Sequence, residues 1–145
     1  MKDVNLKENS HLLPSPISTT SILQRELKVE SFSTKHEWNY RSIIGKFNYL
    51  EKGTRADITY ATHQYTRFCE DPRNSHGREA EHLMKYLMKT KNKGIILKPD
   101  RKQSLEVLAD AVFPGNWNIN TAVDDVSTTK SRTGYIVLYT GCPIV

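Results

Sequence analysis

The chain has 145 residues, enough for one domain or two small units and too few for a complete polymerase. Hydrophobic residues make up 37% and charged residues 26%, which excludes both a low-complexity linker and a disordered acidic tail. Lys and Arg number 21 against 16 Asp and Glu, and the resulting +5 lies in the middle of the chain: residues 35–102 hold fifteen basic and eight acidic side chains, whereas residues 103–145 hold two and four.

Residues 1–33 open on Met1-Lys2-Asp3-Val4-Asn5, polar and with no apolar run behind it. No stretch approaches the roughly 20 apolar residues of a membrane helix, so the expectation is an intracellular chain, cytoplasmic or nuclear and not secreted, with no membrane partner. Pro14, Pro16 and a Ser/Thr cluster read as an extended or poorly ordered segment.

Residues 34–102 carry three helical periods. Thr34 and Glu37 have capping-box spacing, and Tyr40, Ile43, Ile44, Phe47 and Leu50 follow at helical intervals, which predicts a helix over about 35–51 closed by Gly53. A second helix is predicted from a Thr54 cap, with Asp57 in its first turn and Ile58, Ala61, Tyr65 and Phe68 as its apolar stripe, stopping at Asp71-Pro72. A third starts near Asn74 or Ser75 and buries Ala80, Leu83, Met84, Leu87 and Met88. It carries Lys89, Lys91 and Lys93 towards its negative end and terminates at Gly94.

Arg78, His82, Lys85 and Lys89 fall on one stripe of that third helix, opposite the apolar one. Their spacing suits successive phosphates, and the basic excess of the segment points to nucleic acid, against the alternative of an ordinary solvated face. Cys69 and Cys142 lack the paired spacing of a structural zinc site. His63, Cys69, His76 and His82, spaced six, seven and six residues apart, match no common zinc motif and read as separate polar surface positions.

After Gly94 the period changes. Ile95-Ile96-Leu97, Ser104 to Asp110 and Gly134 to Thr140 read as strands, the last two separated by a long polar loop containing Pro114-Gly115-Asn116 and Asp124-Asp125. Two or three strands without a covering helix cannot bury both faces, so residues 103–145 read as the beginning of a domain.

Trp38-Asn39-Tyr40-Arg41-Ser42-Ile43-Ile44-Gly45-Lys46-Phe47-Asn48-Tyr49-Leu50 and Thr54-Arg55-Ala56-Asp57-Ile58 resemble the YRSxxGxLxYL and TRPDI blocks of copia-type long-terminal-repeat retrotransposon Pol polyproteins. The likeness continues in order. Arg67-Phe68 with Asp71-Pro72 and His76 resembles the family's RF...P...H segment, and Tyr86-Leu87 with Thr90 and Gly94 its RYLxGTxxxG segment. Asp110-Ala111-Val112-Phe113-Pro114-Gly115-Asn116-Trp117 resembles the DADxAGxW motif, and Ser131-Arg132-Thr133-Gly134-Tyr135 the SxSGY motif. Ala56, Val112 and Pro114 depart from the pattern, standing where the family has Pro, Asp and Ala.

The resemblance implies an α+β chain: a three-helix reverse transcriptase thumb or connection segment over 34–102, followed by the first β-strands of an incomplete ribonuclease H-like fold over 103–145. It places the polymerase Tyr-x-Asp-Asp box upstream of residue 1 and the later ribonuclease H carboxylates beyond residue 145. Asp110 matches the first carboxylate of the ribonuclease H cluster, which in the intact family enzyme holds two Mg²⁺ ions. With the others missing, no cofactor and no autonomous catalysis are expected of this chain, and Asp110 would bind metal only if completed by the missing carboxylates. The implied partners are an RNA:DNA hybrid or duplex, bound through Arg78, His82, Lys85 and Lys89, and the remainder of Pol. Two other roles are a ribonuclease H completed in trans by another chain and a helical interaction module reused by a host.

Overall fold

A computed structural model describes residues 13–18, 38–112, 119, 123 and 131–144. Among the described residues, three α-helices and a three-stranded antiparallel sheet make a mixed α+β protein. It divides into two compact units, residues 1–94 and 95–145.

The first unit is helical. Helix α1 spans Tyr40–Gly53, a 3₁₀ turn Ala56–Ile58, helix α2 Thr59–Thr66 and helix α3 Asn74–Lys89. The residues that recur every three to four positions are the buried ones: Tyr40, Ile43, Ile44 and Phe47 from α1, Ile58, Ala61, Tyr65 and Phe68 from the middle segment, and Ala80, Leu83, Met84 and Leu87 from α3. Each large apolar side chain in such a cluster contributes about 1.5–3 kcal/mol by leaving water. The polar part of Tyr40 is satisfied inside it, its hydroxyl donating to the Tyr65 carbonyl at 3.1 Å.

Helix boundaries differ from those expected. Trp38 and Asn39 lie outside α1, because Asn39 is extended and its Oδ1 accepts the Ser42 amide at 3.0 Å. Thr34 and Glu37 lie outside the described residues. Thr54 closes α1 rather than opening α2, its amide donating to Leu50 O. Helix α3 begins at Asn74 as expected but stops at Lys89, five residues before Gly94. There Thr90 turns its hydroxyl back on Tyr86 O at 2.8 Å while its amide donates to the same carbonyl.

In the second unit, strand β1 (Leu105–Val112) pairs antiparallel with β2 (Arg132–Tyr139), and β2 with the short β3 (Cys142–Pro143). The β2–β3 connection is a two-residue turn with Thr140 at φ 51° and Gly141 at φ 76°, the paired positive angles of a type I′ hairpin. Ile95-Ile96-Leu97 is not a strand. It pairs with nothing among the described residues, and its side chains are exposed.

The register sets two faces. Leu105, Val107, Ala109 and Ala111 share one with Tyr139, Val137, Tyr135 and Thr133, while Glu106, Leu108, Asp110 and Val112 share the other with Leu138, Ile136 and Gly134. Apolar residues stand on both, as in strands covered from two sides. Yet Leu105, Val107, Leu108, Tyr135 and Tyr139 are each 56–65% exposed.

Candidate functional site

Helix α3 brings Arg78, His82, Lys85 and Lys89 to one face. Ala80, Leu83 and Leu87 point the other way into the core, which fixes the helix's rotation and turns the basic residues outward. Arg78 and Lys89 are exposed, and Lys85 is half-buried. Lys89 lies in the last turn, where the carbonyl end of the helix dipole favours a cation. His82 differs from its neighbours: its Nε2 lies 3.0 Å from the carbonyl of Ser15, which crosses this part of the helix.

A second polar constellation joins the short connections at one end of the bundle. The Arg55 guanidinium grips Asp57 with both arms, Nε to Oδ1 and Nη2 to Oδ2, each at 2.8 Å. The same Nη2 donates to Thr90 Oγ1 at 2.7 Å, and Nη1 to Thr90 O at 3.3 Å. Tyr86 closes the ring, its hydroxyl donating to Asp57 Oδ2 at 2.9 Å while the guanidinium carbon lies 5.6 Å from its ring centroid. The Arg55 side chain beside it holds the Asp57 carboxyl below its ordinary range. Burial, then the bond to Asp57, pushes the Tyr86 hydroxyl up. The 3₁₀ turn is thereby tied to the end of α3. All four residues lie within the TRxDI-like and YLxGT-like blocks, and that shared membership was the only signal for the cluster in the sequence.

His76 is buried, contrary to the expectation of a surface position. Its Nδ1 accepts the Arg73 amide at 2.9 Å, and its ring stacks on Phe68 at 3.9 Å between centroids. It caps α3 and packs the core at once. His63 is exposed, and Cys69 half-buried, with its thiol pushed up by burial. Among the described residues no three His, Cys, Asp or Glu side chains are grouped to hold a metal ion.

Asp110 sits in β1 opposite Gly134, exposed. The next acidic residue on its face, Glu106, is four positions away, roughly 13 Å along an extended strand. Two ions about 4 Å apart need carboxylates that converge. The described residues therefore do not fit a two-ion centre; Asp124 and Asp125 lie outside the described residues.

The chain has sequence relatives among retrotransposon polyproteins. Over 105 residues, 72% of the chain, it is 36% identical to the retrovirus-related Pol polyprotein from transposon RE1 of Arabidopsis thaliana. Over 140 residues, 96% of the chain, it is 29% identical to the corresponding polyprotein from transposon RE2 of the same plant. The chain belongs to the copia-type retrotransposon Pol family. A putative transposon Ty5-1 protein of Saccharomyces cerevisiae is 28% identical over 105 residues, 72% of the chain and 31% of that protein. This Pol chain spans only 6% of the RE1 polyprotein and 9% of the RE2 polyprotein. No family model and no solved structure matches it. Among the described residues of this Pol chain, no helix is long and apolar enough to cross a membrane.

Proposed function

We propose that the chain is the connection segment of a copia-type reverse transcriptase followed by the opening strands of its ribonuclease H portion, that it is catalytically inactive alone, and that it binds RNA:DNA hybrid or duplex weakly through α3. The observation that carries the binding is the outward row of Arg78, Lys85 and Lys89 on one face of a helix whose opposite side is anchored in the core. Fixed cations at that spacing meet phosphates without reading bases. The inactive reading is supported by the position of Asp110, exposed on β1 with the next acidic residue of its face four positions away.

The test is binding of a labelled RNA:DNA hybrid across a salt series. Three phosphates neutralised by three cations contribute about −2.7 to the slope of log K against log salt on duplex. The Arg78→Ala/Lys85→Ala/Lys89→Ala variant, checked for unchanged helicity, should lose that part of the slope, and an unchanged slope would leave the row a solvated face. Metal-dependent hybrid cleavage abolished by Asp110→Asn would overturn the inactivity. The open apolar faces of the sheet favour one second reading, a ribonuclease H completed by the remainder of Pol or another chain.

A further inference from the structure

His82 stands at the edge of the basic row, where two sets of contacts meet. At about 100° per residue, Arg78, Lys85 and Lys89 lie within about 60° of it on one side of α3, and Glu79 lies about 60° away on the other. The Glu79 side is occupied by the chain itself: Glu79 Oε2 accepts the Ser18 amide at 3.4 Å, and Ser15 O lies 3.0 Å from His82 Nε2. Ser15 is held in place from two directions. Residues 14–17 form a bend in which Ser15 Oγ accepts the Ile17 amide at 3.4 Å, and Leu13 and Ile17, on either side, pack against the buried cluster.

A carbonyl oxygen can only accept, so the neutral His82 ring carries its proton on Nε2. Nδ1 is then an acceptor, and among the described residues no hydrogen bond reaches it. His82 is half-buried, with Arg78 four residues before it and Lys85 three residues after. The row therefore holds one acceptor among its donors. A phosphate oxygen has no proton to give that nitrogen, and a deoxyribose within a strand has no hydroxyl. Ribose has one, the 2′-OH, displayed beside the phosphates along the minor groove of an A-form helix.

On the reading of α3 as a nucleic-acid face, we propose that His82 gives that face a preference for a ribose strand: the cations take the phosphates and Nδ1 accepts a 2′-OH. A deoxyribose strand on the same row desolvates Nδ1 without supplying a donor, whereas RNA supplies one. Ser15 is the positioning residue, since its carbonyl fixes the tautomer that leaves an acceptor, and not a second donor, on Nδ1.

The experiment measures binding of two labelled duplexes to the full chain across a salt series at pH 8, above the range in which an imidazole gains its second proton. One is an RNA:DNA hybrid; the other is the same hybrid with its RNA strand 2′-O-methylated, which removes the hydroxyl proton and keeps the ribose. Wild type should bind the unmodified hybrid about three- to tenfold more tightly. His82→Leu, checked for unchanged helicity, should bind both alike and keep the salt slope. His82→Gln, whose amide can donate to Ser15 O and still accept, should retain part of the preference. Equal binding of the two hybrids by wild type, or undiminished discrimination in His82→Leu, would overturn the role of His82 while a steep salt slope leaves α3 binding standing. Absence of salt-dependent binding by wild type would overturn both.

Discussion

Asp57 and Tyr86 stand 29 residues apart in the chain, yet the Tyr86 hydroxyl donates to Asp57 Oδ2 at 2.9 Å while Arg55 holds both oxygens of the same carboxylate. The bond ties the 3₁₀ turn to the last turn of α3, so the charge on Asp57 stabilises the packing of these two segments. The Asp57 side chain is 43% exposed, and water screens the pair. Asp57→Asn should therefore cost only about 1 kcal/mol, measured by urea unfolding at pH 7. Because the folded-state pKa is depressed, the contribution is present above the ordinary carboxylate value and disappears as pH falls through the lower folded one. Wild type should lose more stability than Asp57→Asn between pH 5 and pH 2.5, and parallel losses would remove the carboxylate from the account.

At the alkaline end the sign reverses. Burial pushes the hydroxyls of Tyr40 and Tyr65 above the ordinary tyrosine value, so the folded state keeps protons that the unfolded chain releases. Stability is full below about pH 10 and falls as pH rises beyond it. Tyr40→Phe forfeits the bond to Tyr65 O and should be less stable at neutral pH by about 1 kcal/mol, with a shallower alkaline decline. A decline as steep as that of the wild type would refute this role for Tyr40.

Thr62 offers a substitution of opposite sign. It is fully buried in α2, and its Oγ1 has no hydrogen-bond partner among the described residues, whereas the nearby Thr66 hydroxyl donates to Thr62 O at 2.9 Å. Replacing a buried, unsatisfied hydroxyl by a methyl group removes a desolvation penalty at nearly constant shape. Thr62→Val should stabilise the helical unit by about 1 kcal/mol, read as a rise in melting temperature. A fall would mean that the hydroxyl has a partner such as a bound water.

The apolar periods of the helices were legible because burial follows helical spacing: Ile58, Ala61, Tyr65 and Phe68 are all inside. Their ends were not. Thr34 and Asn39 have side chains that can both cap a helix, and at the start of α1 it is the Asn39 Oδ1 that accepts the Ser42 amide. Thr90 ends α3 ahead of Gly94 through a hydroxyl that also receives Arg55 from 35 residues away, a long-range contact that no local pattern encodes. His82 shows the same limit at the candidate interface. Periodicity puts it in the basic row, but Ser15, 67 residues earlier, lies against it. Ile95-Ile96-Leu97 has strand composition and no strand partner among the described residues, since pairing is a property of two segments. Asp110 lies near the end of β1, a strand whose alternating Leu105 and Val107 were legible as such in the sequence.

The two units should also open at different free energies. Amides of α1 and α3 are backed by fully buried side chains, whereas those of β1 and β2 are flanked by exposed apolar ones. Native-state hydrogen exchange should show β1 and β2 exchanging faster than both helices. Equal protection in a monomer would contradict this.

The sheet's outer strands are unequally guarded against pairing with another chain. On one side β3 ends in Pro143, whose ring nitrogen cannot donate to an incoming strand. On the other, β1 runs eight residues without proline, and its two charges, Glu106 and Asp110, project from a single face. Next to it, Tyr135-Ile136-Val137-Leu138-Tyr139 is a five-residue stretch with neither charge nor proline, the composition of a fibril-forming segment. Among the described residues β1 is therefore the less guarded edge, and Glu106 and Asp110 are the charges it sets against pairing with another chain.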